Sequence, residues 1–456
     1  MFAVGVCDLP ETGGSTFVLV AALFMLVAGV IVSRWVRQSA GRMSVVVAPL
    51  VLLSGLVLAP SVTDPCAPQT TTVAPTTTVV PVDPNLVLEI DTTVLGPVPA
   101  PTGLDSVSAT DESFVYELGL FGEVDVHVDW GDGSFDDVSV AGPFRHTYTT
   151  SGKYTITVSG SLTGFGQDPL NADSLGSAHY LTAVRSFGEL GITSLAFAFY
   201  GSVNLTDVPS NLPTTVTGMS NMFYEASSFN GDVSGWDTSS ATNMSAMFGA
   251  ASSFNGDVSG WDTSLVTDMS NMFGAASSFN GDVSGWDTSS VTDMRAMFAG
   301  ASSFSGDVSG WDTGSVTNMN AMFYEASSFN GDVSDWDTGL VTNMSYMFEE
   351  AALFNQSLGA WDISAVIDMS NMLDDSALSV DNYDATLIGW ADIQQAKQPN
   401  VSFGAAGLYF SSNGASAHDT LTDSCGNNPS NWQINDAGLD PNSLINNNQF
   451  HALACR

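Results

Sequence analysis

From Phe229 to Phe354 the apolar and polar positions follow one 25-residue pattern, restarting at Phe229, Phe254, Phe279, Phe304 and Phe329. In the first half of a unit the apolar positions are Phe229, Val233 and Trp236. Asn230-Gly231 and Ser234-Gly235 interrupt them, which predicts a short or irregular strand. In the second half Met244, Met247 and Phe248 stand at i, i+3 and i+4, a spacing that predicts one face of a helix of about two turns. Thr238, Ser239, Ser240 and Thr242 just before it are N-cap types, and Asp237 can also satisfy free amides there. So short a helix does not stand alone, and its stability must come from neighbouring units. Trp recurs at Trp236, Trp261, Trp286, Trp311, Trp336 and Trp361, and paired Met recurs from Met244/Met247 to Met369/Met372 without a slip of register. A fixed period of this length marks a solenoid, whose units bury their apolar faces against each other.

Each coil then contains a strand-like segment, a turn, a short helix and a return. The expected fold is α/β: a right-handed solenoid on the plan of a leucine-rich repeat, with Phe, Val, Trp and Met in place of Leu. Met219, Met222 and Phe223 extend the phase backward, and Leu181, Val184, Ile192, Leu195 and Phe199 read as a first, degenerate coil. About seven or eight coils at strand spacing give a rod on the order of 35–40 Å long. The solenoid is expected over residues 166–375. A C-terminal cap follows over 376–456, where Tyr383, Leu387 and Trp390 share a helical face.

Residues 86–165 read as β structure, because Val124–Trp130 and Lys153–Gly160 alternate. Trp130-Gly131-Asp132-Gly133, His146-Thr147-Tyr148 and Gly152–Val158 resemble a PKD-type β-sandwich. His127 and His146 read as structural residues, and Asp129 and Asp132 as turn formers with cation binding as the alternative. Residues 61–85 are rich in Thr, Pro and Val, a solvated spacer.

Residues 1–60 hold two apolar runs, Phe17–Val32 and Val45–Ala59, separated by a loop that carries Arg34, Arg37 and Arg42. Two readings stay open. The runs span a membrane with that loop in the cytoplasm, or Val45–Ala59 is the core of a signal peptide cleaved near Ala59-Pro60-Ser61. Either one exports the remainder. Leu9, Pro10, Glu11, Thr12 and Gly13 match the LPxTG motif of sortase sorting signals. Such signals sit at a C-terminus, so cleavage between Thr12 and Gly13 could not anchor the domains that follow.

The 48 Asp and Glu face only 9 Lys and Arg, a formal net charge of −39. A surface this acidic repels phosphate backbones and excludes nucleic acid as a partner. Of the four cysteines, none shows zinc-ligand spacing; Cys425 and Cys455 form a candidate disulfide in an exported protein.

Candidate chemistry is sparse. The clean repeats contain no His, Cys or Lys and one Arg, Arg295, so no set of differing polar groups points to an enzyme. Their carboxylates form columns. Asp237 and its equivalents follow Trp and read as turn caps. Asp232, Asp257, Asp282, Asp307 and Asp332 are the candidate calcium column, since stacked carboxylates repel unless cations or amides answer them. No other cofactor is expected. The Trp column reads as a core ladder, with an exposed sugar-stacking strip as its rival. Specificity would reside at the variable positions, among them Gly249-Ala250, Tyr224-Glu225, Tyr324-Glu325 and Glu349-Glu350 on the helix side and Gly231, Gly235 and Asp335 on the strand side.

The repeat core, W-D-x-S-x-V-x-x-M-x-x-M-F-x-x-A-x-x-F-N, resembles the BspA-like leucine-rich-repeat surface proteins, whose repeat also occurs in mycoplasma lipoproteins. The order of a VDWGDG β domain, perfect coils, YDATLIGW and a closing W-x-I-x-D-x-G matches the layout of that family. The resemblance implies a secreted or surface-displayed bacterial protein acting in adhesion or protein–protein interaction. Its ligand would be an extracellular protein or glycan, and its N-terminal segment would associate with membrane or cell wall. The alternative is a calcium-dependent structural or carbohydrate-binding surface module.

Overall fold

The structure is a computed structural model that describes residues 83–94, 114–166, 177–393, 396–422 and 431–443. The LPETGG motif, both N-terminal apolar runs, the spacer up to residue 82, Cys425 and Cys455 lie outside the described residues. Among the described residues no helix is long and apolar enough to cross a membrane.

Six strands open the described chain: β1 (Leu86–Asp91), β2 (Phe114–Asp129), β3 (Phe135–Val138), β4 (Gly142–Tyr148), β5 (Lys153–Phe165) and β6 (Leu181–Phe187). They form one antiparallel sheet of order β3-β2-β5-β1-β6, with β4 on the first half of β2. Alternation sets the faces: Val126, Val128 and Trp130 are buried, while His127 and Asp129 point to solvent. Leu181 and Val184 thus sit in a sheet strand rather than in a degenerate coil. The same strand still touches the repeats, because Ala183 bridges Asp207 in parallel.

From Ser194 to Asp368 the repeats lie side by side. Parallel single-residue bridges join Gly218 to Asn243, Asn243 to Asp268, and so on to Asp368. No continuous strand forms within them, and the two-turn helix expected over Met244–Phe248 is absent. In its place are consecutive tight turns, with Ala246 and Ala250 in the left-handed region at φ 51° and 56°. The amides explain the difference. Met244, Ala246, Phe248 and Ala250 donate to the carbonyls of Asp268, Ser270, Met272 and Gly274 in the next unit, at 3.1, 2.8, 2.9 and 2.6 Å. The intervening amides of Met247, Gly249 and Ala251 bond within the unit, each three residues back, and that of Ser245 to the Asn243 side chain. A helix would send each amide beyond its first turn to the carbonyl four residues back in the same unit. The turns still bury Met244, Met247 and Phe248 completely, so the apolar spacing is kept while the backbone differs.

The core of the stack is built from identical columns. Consecutive Trp rings from Trp236 to Trp361 lie parallel, with centroids 6.2–6.5 Å apart. Each indole Nε1 from Trp261 to Trp361 donates to the Val carbonyl of the preceding unit at 2.8–3.1 Å. The rings of Phe248 and Phe254 stack at 3.8 Å, and that pairing repeats along the column.

Both ends are closed by other structure. At the first end the amide of Phe165 in β5 donates to Ser194. At the far end α1 (Val380–Asp392) is capped by Ser379 and buries Tyr383, Leu387 and Trp390. Trp390 continues the indole ladder, its Nε1 donating to Leu358 at 2.8 Å. Gly389 allows this approach: a Cβ there would stand 2.1 Å from the Gly359 carbonyl oxygen. Then β7 (Ser402–Phe410) supplies the carbonyls of Ser402, Gly404 and Ala406 to the last unit's free amides on Met369, Leu373 and Asp375. A short helix, α2 (Ala415–Thr422), and β8 (Gln433–Leu439), which lies parallel to β7, complete this end.

Candidate functional site: a notch on the turn face

Most polar side chains of the stack are engaged inside it. In the candidate calcium column, Asp232, Asp257, Asp282 and Asp307 each accept the amide and hydroxyl of the Ser two residues on, at 2.9–3.0 and 2.7 Å. Asp332 accepts the Ser334 amide at 3.0 Å. These bonds hold the carboxyls below their ordinary pKa, the Ser334 amide first at Asp332 and the Ser234 hydroxyl first at Asp232. Asp237 closes the same kind of turn with Ser239. Among the described residues no three His, Cys, Asp or Glu converge as metal ligands.

Two further ladders run along the stack. Thr217, Thr242, Thr267, Thr292, Thr317 and Thr342 each donate a hydroxyl to the carbonyl one unit back, at 3.1–3.4 Å. Asn230, Asn255, Asn280 and Asn330 accept a backbone amide from the unit ahead at 2.8 Å. The Trp column is about 3–4 % exposed at most, which removes the exposed sugar-stacking strip. Gly231 is fixed by packing, since a Cβ would stand 2.8 Å from the Phe229 ring. In the sheet, His146 Nε2 pairs with Asp132 at 2.8 Å and its ring stacks on Trp130, while His127 pairs with Asp137 at 2.7 Å.

The turn face is where the uniformity breaks. Its outer column reads Tyr200, Tyr224, Gly249, Gly274, Ala299, Tyr324, Glu349 and Asp374. The rings of Tyr200 and Tyr224 stack at 5.0 Å, and Tyr224 lies over Gly249, where a Cβ would meet its ring at 2.6 Å. The three small residues between the tyrosines leave a notch of about 270 Å³. Ala250, Gly274, Ala275, Ala299 and Gly300 floor it, and Tyr224, Asn271, Tyr324 and Glu325 wall it. The hydrogen bond with Glu325, reinforced by the charges of Glu325, Glu350 and Glu349, pushes the Tyr324 hydroxyl up to about 12. Burial raises the neighbouring Glu349 carboxyl, which also accepts from Asn371 at 3.2 Å.

Of the variable positions read from sequence as carriers of specificity, Tyr224, Ala250, Tyr324 and Glu325 meet at this one place. Asn271, Gly274-Ala275 and Ala299-Gly300 complete it and were not singled out. The signal for them was the column read from unit to unit: small residues at three successive positions between two tyrosines.

No curated protein and no solved structure matches the chain. Residues 193–298 and 281–386 each match the family model described as Mycoplasma protein of unknown function, DUF285. Over 193–386 the chain is thus similar to a mycoplasma-type repeat family, matched twice in tandem.

Proposed function

We propose that the chain is an exported bacterial surface protein whose repeats form a right-handed, leucine-rich-repeat-like solenoid of the BspA kind, behind a PKD-like β domain. It acts in adhesion or protein–protein interaction and is not an enzyme. The observation that carries this reading is the use of polar groups in the stack. Asp, Ser, Thr and Asn side chains serve the neighbouring turns, so the repeats offer a long, stiff surface rather than a pocket of converging reactive groups. The tandem match to a mycoplasma repeat family over 193–386 supports the repeat architecture on which this reading rests. Export rests on the apolar runs Phe17–Val32 and Val45–Ala59. The test is binding of the purified chain to an array of extracellular proteins and glycans. Saturable binding to a protein is expected; binding to no protein on the array sinks the proposal.

A further inference from the structure

We infer that the notch between Tyr224 and Tyr324 receives an extended cationic segment of a partner protein, with Lys or Arg side chains lying against the tyrosine rings. This rests on the reading of the stack as a protein-binding surface and names the partner's chemistry.

Three observations converge. The notch is a bounded hollow with an aromatic wall at each end, and tyrosine faces attract cations. Its charge has one sign: Glu325 is part of the wall, and exposed Glu225 and Glu350 continue the same face on either side. The only base in the clean repeats, Arg295, is turned to Asp293, with Nε 3.6 Å from its carboxylate. Across the whole chain 48 acidic residues face 9 basic ones, so an acidic or phosphorylated partner would be repelled before contact. The size also fits. Four unit spacings separate the two tyrosines, and because Tyr224 covers Gly249 about three of them are open, on the order of 15 Å at strand spacing, which matches about four extended residues. The floor of Gly and Ala lets a peptide backbone come close.

The repeats supply their own plug. Tyrosine already stands in this column at Tyr200, Tyr224 and Tyr324, and Tyr200 stacks on Tyr224 in the adjacent unit. Ala299→Tyr would stack beside Tyr324 in the same way and fill the hollow. The experiment is calorimetric titration of the full chain with arginine- and lysine-rich hexapeptides, with acidic and neutral hexapeptides and a neutral oligosaccharide as comparisons. The basic peptide is expected to bind, more weakly as salt rises, at least tenfold more weakly to A299Y and several-fold more weakly to Glu325→Gln. Should A299Y fail to show the parent's unfolding transition, Tyr324→Ala serves in its place and is expected to lose binding too. Equal affinity of the basic peptide for parent and plugged chains overturns the inference. So does a preference for the oligosaccharide or the acidic peptide. A partner protein that binds A299Y as tightly as the parent removes the notch from its recognition and leaves the protein-binding reading standing. Peptide binding at the notch with no protein partner on the array does the reverse.

Discussion

The antiparallel sheet and the repeat stack are both built on parallel or antiparallel backbone contacts, yet they hold together by opposite means. In the sheet each contact is particular. Arg145 pairs with Glu117 at 2.8 Å, Arg185 with Glu89 at 2.7 Å and with Asp207, and Tyr148 donates its hydroxyl to the Trp130 carbonyl at 2.9 Å. In the stack a few contacts are repeated, and among its described residues the one ion pair with both partners in the stack is Arg295 with Asp293, Asp207 pairing outward with Arg185 of the sheet. A sheet of unique contacts has one energy; a stack of repeated ones has a unit energy and a neighbour energy. The difference makes the stack tolerant of change in number of units and sensitive to change within a column.

The strongest way to break this comparison is a tryptophan deletion in each region. Trp286 lies between Trp261 and Trp311 and bonds to the Val258 carbonyl at 3.0 Å. Trp286→Ala is expected to cost about 3–5 kcal/mol and to divide urea unfolding of the stack into two steps, since each unit leans only on its neighbours. Trp130→Ala, which also loses a bond to Asp136 at 2.8 Å, is expected to shift the sheet's transition without dividing it. A single transition displaced equally by both substitutions would show sheet and stack melting as one body.

Acid sharpens the comparison with a smaller effect. Burial by itself would raise the Asp132 carboxyl, but bonds from Ser134 and His146 outweigh it and bring the group down to about 2. The Asp232 column is likewise lowered, by its own Ser hydroxyls and amides. A carboxyl lowered on folding contributes stability above its unfolded value, near 4, and loses that contribution as pH falls through the folded value. The melting temperature is therefore expected to fall from about pH 5 down to pH 2 in both regions. A rise in that window would mean that relief of repulsion along the aspartate column outweighs the lost turn bonds.

The smallest effect tests the turns themselves. Ala250 sits at φ 56°, where an L side chain is strained, and the equivalent residue two units on is Gly300, at φ 69°. Ala250→Gly is expected to stabilise by about 0.5 kcal/mol, the strain relieved less the added flexibility of the unfolded chain. In the sheet, Val128→Gly would go strongly the other way. A destabilised A250G would show that these turns are not left-handed.

These residues also show what was legible in the sequence. The Phe, Trp and Met columns were readable because their period is long and unbroken, and burial follows period. The helix was misread because Met244, Met247 and Phe248 lie on one side in a helix and in a run of tight turns alike. What separates the two is the destination of alternate amides, and that lies in the next unit, beyond any local window. Asn221, Asn271 and Asn371 hinted at left-handed backbone, but Ala246, Ala296 and Ala321 in the same column spoke for a helix. Tyr224, Tyr324 and Glu325 in the walls and Ala250 in the floor were visible as variable positions. Asn271 and the rest of the floor were not, because an absence of side chains becomes a hollow only when the units on either side are in place.

On the turn face the alternate amides of Met244, Ala246, Phe248 and Ala250 and their equivalents point toward the C-terminal end of the stack, where β7 meets the last of them, while the Thr267 amide and its equivalents point back. The rod therefore has polarity, with a donor end and an acceptor end that are complementary to each other. A fragment lacking 402–410 would carry bare donors, and one lacking β5 would carry bare acceptors. Such fragments are expected to associate head to tail, and β5 and β7 cover the two faces through which they would do so.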